Sequence, residues 1–299
     1  MSFEPRNILV AYKKSRWEHF VDETGSRAGE EKPDEEDESI GELKESHRIH
    51  RRGVEQVCQH LAAEDLEFES HYRGDVEQTD QYDLIVTVGG DGTVLDISHR
   101  VDDVPLLAIN SHPDSSVGYF CAGTVDEFPT LLDEARAGDL PRHALTRFSV
   151  YRNSERLEPC VLNDILIAHA NPAAVTRYDL QIGDRPAESQ RSSGIWVSTP
   201  AGSTAAIRSA GGFVLPLGCR CLEYLVREPY PLPDTPYRYL KGVHPLENSL
   251  KITMQTQHGR IFVDGPHIAH ELEFGDTVEI GADAPPLKIF GLHPDRRVR

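Results

Sequence analysis

Three glycines and one acid occur together in the segment Gly89-Gly90-Asp91-Gly92-Thr93, directly after the apolar run 84–88. The run is short, β-branched and uncharged, which is typical of a strand buried on both faces of a parallel sheet. The glycines permit positive φ angles and let another molecule approach the backbone closely. Because free amides at the start of a helix attract anions, the segment predicts a phosphate-binding turn that leads into a helix from Thr93.

Asp91 needs an explanation, since a bound phosphate would repel its carboxylate. It would suit phosphoryl transfer, either by taking the proton of an attacking hydroxyl or by binding Mg²⁺. The alternative is that Asp91 caps the following helix. A P-loop is excluded because no lysine lies between Lys44 and Lys241, and Leu95 stands where the dinucleotide fingerprint has its third glycine. Amides, arginines and a divalent cation must therefore balance the phosphate charge.

A second segment, 198–205, is rich in hydroxyls and reads Ser-Thr-Pro-Ala-Gly-Ser-Thr-Ala. It follows a predicted strand and enters a predicted helix over 203–210, which small hydroxyls would cap and Gly211-Gly212 would close. The hydroxyls at 198, 199, 203 and 204 are more than a turn requires, and they would suit a phosphate, a ribose or a carboxamide.

Two further polar pairs lie in strand-rich sequence. Asn163 has a donor and an acceptor that could contact an adenine edge or an amide, and Asp164 could accept from ribose hydroxyls. Taken alone, this pair is better explained as a β-turn, and Asp264-Gly265 is better explained as a hairpin turn.

The composition narrows the class of protein. The 299 residues carry a formal net charge of -18, which makes sequence-independent binding to nucleic acid or anionic lipid unfavourable. No apolar run approaches the roughly 18 residues of a membrane helix, and residues 1–6 lack a signal-peptide pattern. We expect a cytoplasmic protein with neither nucleic-acid nor membrane partners. Cys219 and Cys221 are expected to be small half-buried thiols, because no second cysteine pair completes a zinc set, so no protein metal site is predicted.

The predicted elements divide the chain in two. Strands and helices alternate over 1–140, including an amphipathic helix over 51–63, which indicates a parallel α/β sheet. Ligands of such sheets bind at the carboxyl ends of the strands, where Asp91 and Asn110 lie. The acid-rich stretch 21–45 is interpreted as a solvated insertion. Residues 141–299 should be mostly β, with the last residues packing back on the first domain.

Together these motifs resemble the NAD kinase family, which phosphorylates the adenosine ribose 2′-hydroxyl of NAD to make NADP. The family's GGDGT matches 89–93, its Asn-Glu/Asp pair matches 163–164, its STPxGSTA segment matches 198–205 and its late DG turn matches 264–265. GGDGT alone is shared with lipid kinases and phosphofructokinases, whereas the GSTA segment is far more specific. Three segments resemble the mitochondrial-type branch of the family: His47–His50, Asn110–Gly118 and Ser192–Gly194.

The resemblance implies a Rossmann-like N-terminal α/β domain and a mostly-β, sandwich-like C-terminal domain, as in the NAD kinase and diacylglycerol kinase fold. It implies NAD as acceptor, ATP as phosphoryl donor, Mg²⁺ or another divalent cation, and a homodimer or homotetramer. Asp91 would activate the ribose hydroxyl as the catalytic residue. The candidate nucleotide-binding residues are Gly89, Gly90, Gly92, Thr93, Asn110, Phe120, Asn163, Asp164, Arg191, Ser198, Thr199, Ser203, Thr204, Ala205 and Asp264.

Two residues depart from the family pattern. Ser193 stands where most members have an acid, and Ala206 stands where most have a tyrosine. Two alternatives therefore stay open. One is a related kinase for a lipid or sugar hydroxyl, and the other is a non-catalytic NAD-binding regulator, against which the intact Asp91 speaks.

Overall fold

The computed structural model describes residues 3–26, 38–233 and 235–292, and the chain divides into two compact units. The first unit comprises Met1–His143 and Lys288–Arg299, and the second comprises Ala144–Leu287. The helices are α1 (Arg16–Ser26), α2 (Glu38–Ala63), α3 (Asp91–Ser98), α4 (Phe128–Ala137) and α5 (Ala206–Ser209). The strands are β1 (Asn7–Tyr12), β2 (Glu67–Tyr72), β3 (Leu84–Gly89), β4 (Leu106–Asn110), β5 (Gly123–Thr124), β6 (Arg142–Leu145), β7 (Phe148–Arg152), β8 (Glu155–Val161), β9 (Asp164–His169), β10 (Thr176–Ile182), β11 (Glu188–Ser192), β12 (Gly194–Ser198), β13 (Cys221–Arg227), β14 (Lys241–Pro245), β15 (Leu250–Met254), β16 (Gly259–Val263), β17 (Ile268–Leu272), β18 (Thr277–Gly281) and β19 (Leu287–Phe290).

The first unit is built on one sheet in the order β2-β1-β3-β4-β19-β6, with β5 beside β4. Strands β1, β2, β3, β4 and β19 are parallel where they pair. All six residues of β3 are buried, as its uninterrupted apolar sequence predicts. The carboxyl ends of β1, β3 and β4 consequently share one edge of the sheet, where the predicted phosphate turn lies.

The acid-rich stretch 21–45 differs from its interpretation as a solvated loop. Residues 21–26 belong to α1 and residues 38–45 belong to α2, while 27–37 lie outside the described residues. The predicted helix over 51–63 is therefore only the second half of α2. Its buried face continues back to Ile40, which is 6% exposed, and the acids lie on the opposite face. The segment is therefore an amphipathic helix, which its high acid content alone does not indicate.

The second unit consists of two six-stranded sheets, β11-β10-β15-β18-β7-β8 and β14-β13-β12-β9-β16-β17. The pairings within both are antiparallel. Both sheets contribute to one buried cluster, with Phe148 and Tyr178 from the first and Ile195 and Leu222 from the second. The sequence expectation of an α/β domain with a mostly-β, sandwich-like domain is thus confirmed.

Two segments of the second unit are divided into shorter elements. The strand-rich sequence around Asn163 forms two strands, β8 and β9, which lie in different sheets. The helix predicted over 203–210 is a 3₁₀ turn (Gly202–Thr204) followed by the four-residue α5, interrupted at Ala205 with ψ −142°. Neither has a side-chain cap.

The two neighbouring cysteines also differ from expectation. Cys219 and Cys221 form a disulfide, with their Cα atoms 5.4 Å apart, a separation that a disulfide can span. Across the described ranges, no helix combines the length and apolar character that crossing a bilayer would require.

Candidate active site

The glycine turn joins β3 to α3. Gly89 ends β3, Gly90 precedes α3 with extended dihedrals (φ −123°, ψ −164°), and Asp91 is the first helical residue. The positive φ angles expected for these glycines do not occur. Glycine is needed instead for space, because a Cβ on Gly89 would overlap the Thr93 hydroxyl and a Cβ on Gly90 would overlap the Ser116 hydroxyl.

Asp91 does not cap α3, so the capping alternative is wrong. Its Oδ1 accepts a hydrogen bond from the backbone N–H of Phe120 at 2.9 Å, and the helix start has no side-chain cap. The structure gives Oδ2 no protein donor among the described residues. Phe120 is 6% exposed, and its contact with the turn is made through its backbone.

Asn110 ends β4 and organises the loop that follows. Its Nδ2 donates to the Ser116 carbonyl at 2.9 Å, and its Oδ1 accepts from the His112 N–H at 3.1 Å. The Asn110 side chain is thus hydrogen-bonded within the loop, and its contact with a nucleotide stays a prediction. Through Ser116, which lies against Gly90, Asn110 shapes the wall of the turn.

A cavity of about 1230 Å³ opens in front of the turn, entirely within the first unit. Gly90 to Thr93 line one side, and residues beyond the ends of β1, β2 and β4 contribute the rest together with the start of α2. The charged and titratable residues that line it are Lys13, Lys14, Arg16, Glu42, Glu45, His50, Arg73, Asp91 and His112. The lining thus has four positive charges and three carboxylates, so its net charge is positive, whereas the net charge of the whole chain is negative.

Arg73 is a functional candidate that sequence reasoning missed. Its Nη1 donates to the Gly92 carbonyl at 2.5 Å, and its Nε lies 3.0 Å from Asp96 Oδ2. The guanidinium thereby links the Gly92 carbonyl in the turn to Asp96 in α3. The available signal was position, since Arg73 directly follows β2, a neighbour of β1 in the same parallel sheet.

His50 is a buried histidine in the wall of the cavity, 1% exposed. Its Nε2 lies 2.9 Å from the Lys13 carbonyl and its Nδ1 lies 2.8 Å from Ser111 Oγ. A carbonyl only accepts, so Nε2 carries the proton and Nδ1 accepts from the hydroxyl. Burial lowers the pKa of His50 to about 4, so the ring is neutral and joins the segments after β1 and β4.

In the second unit, Asp264 organises the segment that separates β8 from β9. Its carboxylate accepts from the backbone N–H groups of Leu162, Asn163 and Asp164 at 2.9, 2.7 and 3.0 Å. Three amides turned toward one carboxylate cannot continue a strand ladder, which explains the break. Asp264 thus holds the backbone of Asn163 and Asp164, and its own contact with a nucleotide stays a prediction.

Asn163 and Asp164 carry the clearest sign of a binding site. Asn163 Oδ1 and Asp164 Oδ2 are buried and have no hydrogen-bond partner among the residues that the structure describes. Burial, and secondarily the charge of Asp264, raises the pKa of Asp164 to about 7. Unpaired buried polar atoms are costly, so both are expected to meet a ligand.

The hydroxyls of the 198–205 segment donate hydrogen bonds to backbone carbonyls, and their contacts with a ligand stay predictions. Ser198 Oγ donates to the Asn163 carbonyl at 3.2 Å, and Thr199 Oγ1 donates to the Leu162 carbonyl. Ser203 Oγ donates to the Pro200 carbonyl at 2.8 Å, and Thr204 Oγ1 lies 3.5 Å from the Ala201 carbonyl. The hydroxyls build the turn and fasten it to the segment that carries Asn163.

Arg191 lies elsewhere in the second unit. Its guanidinium carbon lies 5.4 Å from the centre of the Tyr230 ring. It lines a cavity of about 460 Å³ with residues of β10 and β11, which Asn163 and Asp164 do not line. The structure therefore brings Asn163, Asp164, the 198–205 turn and Asp264 together, but not Arg191.

Comparison with known proteins decides the family. The profile of the ATP-NAD kinase N-terminal domain matches residues 13–139, and that of the C-terminal domain matches residues 162–289. The chain belongs to the ATP-NAD kinase family. A probable NADH kinase of Oryza sativa subsp. japonica is 35% identical over 265 residues, covering 81% of this chain and 82% of the relative. The NADH kinase of Arabidopsis thaliana is 35% identical over 275 residues, covering 84% and 86%.

Solved structures of the NAD kinase family share the fold. An NAD kinase from Archaeoglobus fulgidus in complex with ATP has a TM-score of 0.67 at 19% identity, covering 98% of this chain and 96% of that one. Yeast NADH kinase complexed with NADH has a TM-score of 0.68 at 18% identity, covering 98% and 85%.

The two departures from the NAD kinase pattern flank the 198–205 segment in the sequence. The Ser193 N–H donates to the Arg227 carbonyl at 3.0 Å, and Ala206 is the exposed first residue of α5. Behind the 198–205 turn, Glu223 pairs in register with Ser198, which pairs in turn with Asp164. Glu223 is fully buried, its Oε1 accepts from the Phe213 N–H at 2.7 Å, and burial raises its pKa.

Proposed function

We propose that this member of the ATP-NAD kinase family transfers the terminal phosphoryl group of ATP to the adenosine ribose 2′-hydroxyl of NAD, giving NADP. The observation that carries the proposal is the pair of buried, unpaired oxygens on Asn163 and Asp164, held on the motif that matches the family. The oxygens would accept hydrogen bonds from the adenosine part of the acceptor, such as an amino group and a ribose hydroxyl.

Asp91 is the proposed general base. Its Oδ1 is fixed by the Phe120 N–H, which leaves Oδ2 to take the proton of the attacking hydroxyl. The amides around Gly90 and Gly92 and the cations of the 1230 Å³ cavity would receive the phosphates of the donor. Catalysis would then consist mainly of positioning and charge neutralisation.

Mg²⁺ fits this arrangement as a partner of the donor. The described residues include no cluster of three or more His, Cys, Asp or Glu side chains that could hold a metal ion. Mg²⁺ is usually bound by one or two carboxylates together with substrate phosphates and water. We therefore expect the donor's phosphates to supply most ligands, with Asp91 as the nearest carboxylate, and the ion to neutralise phosphate charge when bound.

NADH is the second candidate acceptor. The rice and Arabidopsis relatives, each 35% identical, are named probable NADH kinase and NADH kinase. The two forms differ at the nicotinamide ring, whereas Asn163 and Asp164 are assigned to the adenosine part. The assigned contacts would therefore accept either form, and the choice would depend on other residues.

A donor and acceptor panel tests the proposal. Purified full-length protein is incubated with Mg²⁺ and either ATP or inorganic polyphosphate, with NAD or NADH as acceptor, and the product is separated and quantified. Formation of NADP or NADPH supports the proposal. Phosphorylation of only a lipid or sugar hydroxyl, or calorimetric binding of NAD without any turnover, would overturn it.

Assembly and location complete the proposal. We expect a homodimer or homotetramer, which sedimentation equilibrium would show as a mass two or four times 33.4 kDa. A cytoplasmic location is also expected, and fractionation of the source cells would test it.

A further inference from the structure

Lys13 directly follows β1, the strand next to the one that leads into the glycine turn. It follows Tyr12, the last residue of β1, which pairs with Val88 of β3. Since β1 and β3 are parallel neighbours, Lys13 leaves the sheet beside the turn 89–93, and both line the same cavity. The Lys13 carbonyl accepts from His50 Nε2 at 2.9 Å, which fixes the backbone at this point.

The cations of the cavity differ in how their charge is used. Lys14 Nζ lies 3.2 Å from Asp22 Oδ2, and Arg73 is engaged by Asp96 and the Gly92 carbonyl. Arg16 is exposed. Lys13 is half-buried, and in the described ranges no carboxylate lies within ion-pair distance of its ammonium group. Burial, followed by the charges of Arg73 and Arg16, lowers the pKa of Lys13.

A half-buried cation without a counterion has an uncompensated desolvation cost. A polyphosphate is the anion that the neighbouring turn is built to receive, and a lysine ammonium binds phosphate oxygens as a compact point charge. The turn contains no lysine of its own, because none occurs between Lys44 and Lys241. The fold instead places Lys13, directly after β1, at the same edge of the sheet as the turn.

We infer that Lys13 is a donor-binding residue, which contacts the terminal phosphates of ATP and neutralises their charge beside Asp91. The inference rests on the proposed function, because it takes ATP as the donor. Lys13, directly after β1, would thus have the role that the lysine of the phosphate loop has in P-loop proteins.

Two substitutions at Lys13 and one elsewhere test the inference. Lys13→Met removes the charge, Lys13→Arg keeps it, and Lys44→Met removes a charge outside the cavity, where the ammonium lies 5.0 Å from the centre of the Trp17 ring. Calorimetry with Mg²⁺-ATP and with inorganic tripolyphosphate should show binding weakened about tenfold or more for Lys13→Met. Lys13→Arg should lose much less, Lys44→Met should match the wild type, and all variants should bind NAD within about twofold of the wild type.

Binding of ATP by Lys13→Met with wild-type affinity would overturn the inference. A second measurement needs no variant: amine acetylation of the wild-type protein is followed by mass spectrometry with and without ATP. ATP should protect Lys13 and leave Lys44 reactive, and equal labelling of Lys13 in both samples would also overturn the inference. A wild-type protein that binds ATP but makes no NADP or NADPH contradicts the proposed function instead, since the binding comparison does not depend on turnover.

Discussion

The backbone N–H of Asn163 donates a 2.7 Å hydrogen bond to the carboxylate of Asp264, a residue 101 positions later in the chain. The same carboxylate accepts the two flanking amides. One acid thus sets the conformation of a segment in which Asn163 and Asp164 each carry one buried oxygen without a hydrogen-bond partner among the described residues. Under the proposed function, acceptor binding would therefore depend on a residue that the acceptor need not contact.

Asp264→Asn should weaken this arrangement without removing the side chain. The amide offers one acceptor oxygen where the carboxylate offers two, so we expect the free energy of unfolding to fall by about 1 to 3 kcal/mol. NAD affinity should fall while ATP affinity is kept. Urea denaturation and calorimetry measure these quantities. Asp276→Asn is the control, at a partly buried loop acid of the same unit whose carboxylate accepts the Glu273 N–H. Equal NAD affinity in both variants would contradict the assignment.

Asp91→Asn tests the general base directly. The amide keeps an oxygen for the Phe120 N–H but cannot take a proton, so turnover should fall by roughly 10²-fold or more. NAD binding should be largely retained. Steady-state kinetics and calorimetry are compared with Asp103→Asn, a surface acid paired with Lys288. Near-normal turnover of the Asp91 variant would remove this residue from the mechanism.

Asp164 should make the protein less stable as the pH rises from about 4 to about 7. Its folded pKa of about 7 lies above the ordinary aspartate value. The native state therefore holds a proton that the unfolded chain releases, and this advantage disappears across that interval. Asp164→Asn removes the effect, so its stability relative to the wild type should rise by on the order of 2 kcal/mol between pH 5 and pH 8. Urea denaturation at both pH values would refute this if the difference stayed constant.

His50 should have the opposite pH dependence. Its folded pKa of about 4 lies below the ordinary histidine value. The unfolded chain therefore binds a proton that the native ring does not, and stability is lost as the pH falls from about 6.5 toward 4. Between pH 7.5 and pH 5, the free energy of unfolding of the wild type should fall by about 2 kcal/mol through this residue. His50→Gln keeps a donor and an acceptor but does not titrate, so it should not show this loss. Parallel losses in both proteins would show that His50 is not responsible.

Local pattern was sufficient to predict the architecture. The apolar run before Gly89 is typical of a buried strand, and it is the fully buried β3. The acid between the glycines needs a chemical reason, and none of the described residues donates to one of its oxygens. The family motifs, read in order, indicated the family that the comparisons confirm.

The contacts that shape the site could not be predicted from the sequence. The hydroxyls of Ser203 and Thr204 bond to carbonyls three residues earlier, and the residue types that make such bonds are the same types that bind ligands. The bonds of Asp264 and His50 join residues far apart in sequence, and their partners follow from strand register and packing. The assignments of Asp91, Asn163, Asp164 and the other site residues to nucleotide contacts stay predictions.

Strand β19 has a consequence for how the chain is made. Leu287 and Ile289 are fully buried, and the strand lies beside β4 in a sheet whose other strands come before residue 146. A ribosome delivers the chain from its N-terminus, so during translation β4 lacks this neighbour until residue 290 has left the exit tunnel. A fragment that ends near residue 143 would lack β19, so the edge of the apolar strand β4 would stay exposed and would favour aggregation. Expression of the first unit alone should therefore require β19 to be added back to the fragment.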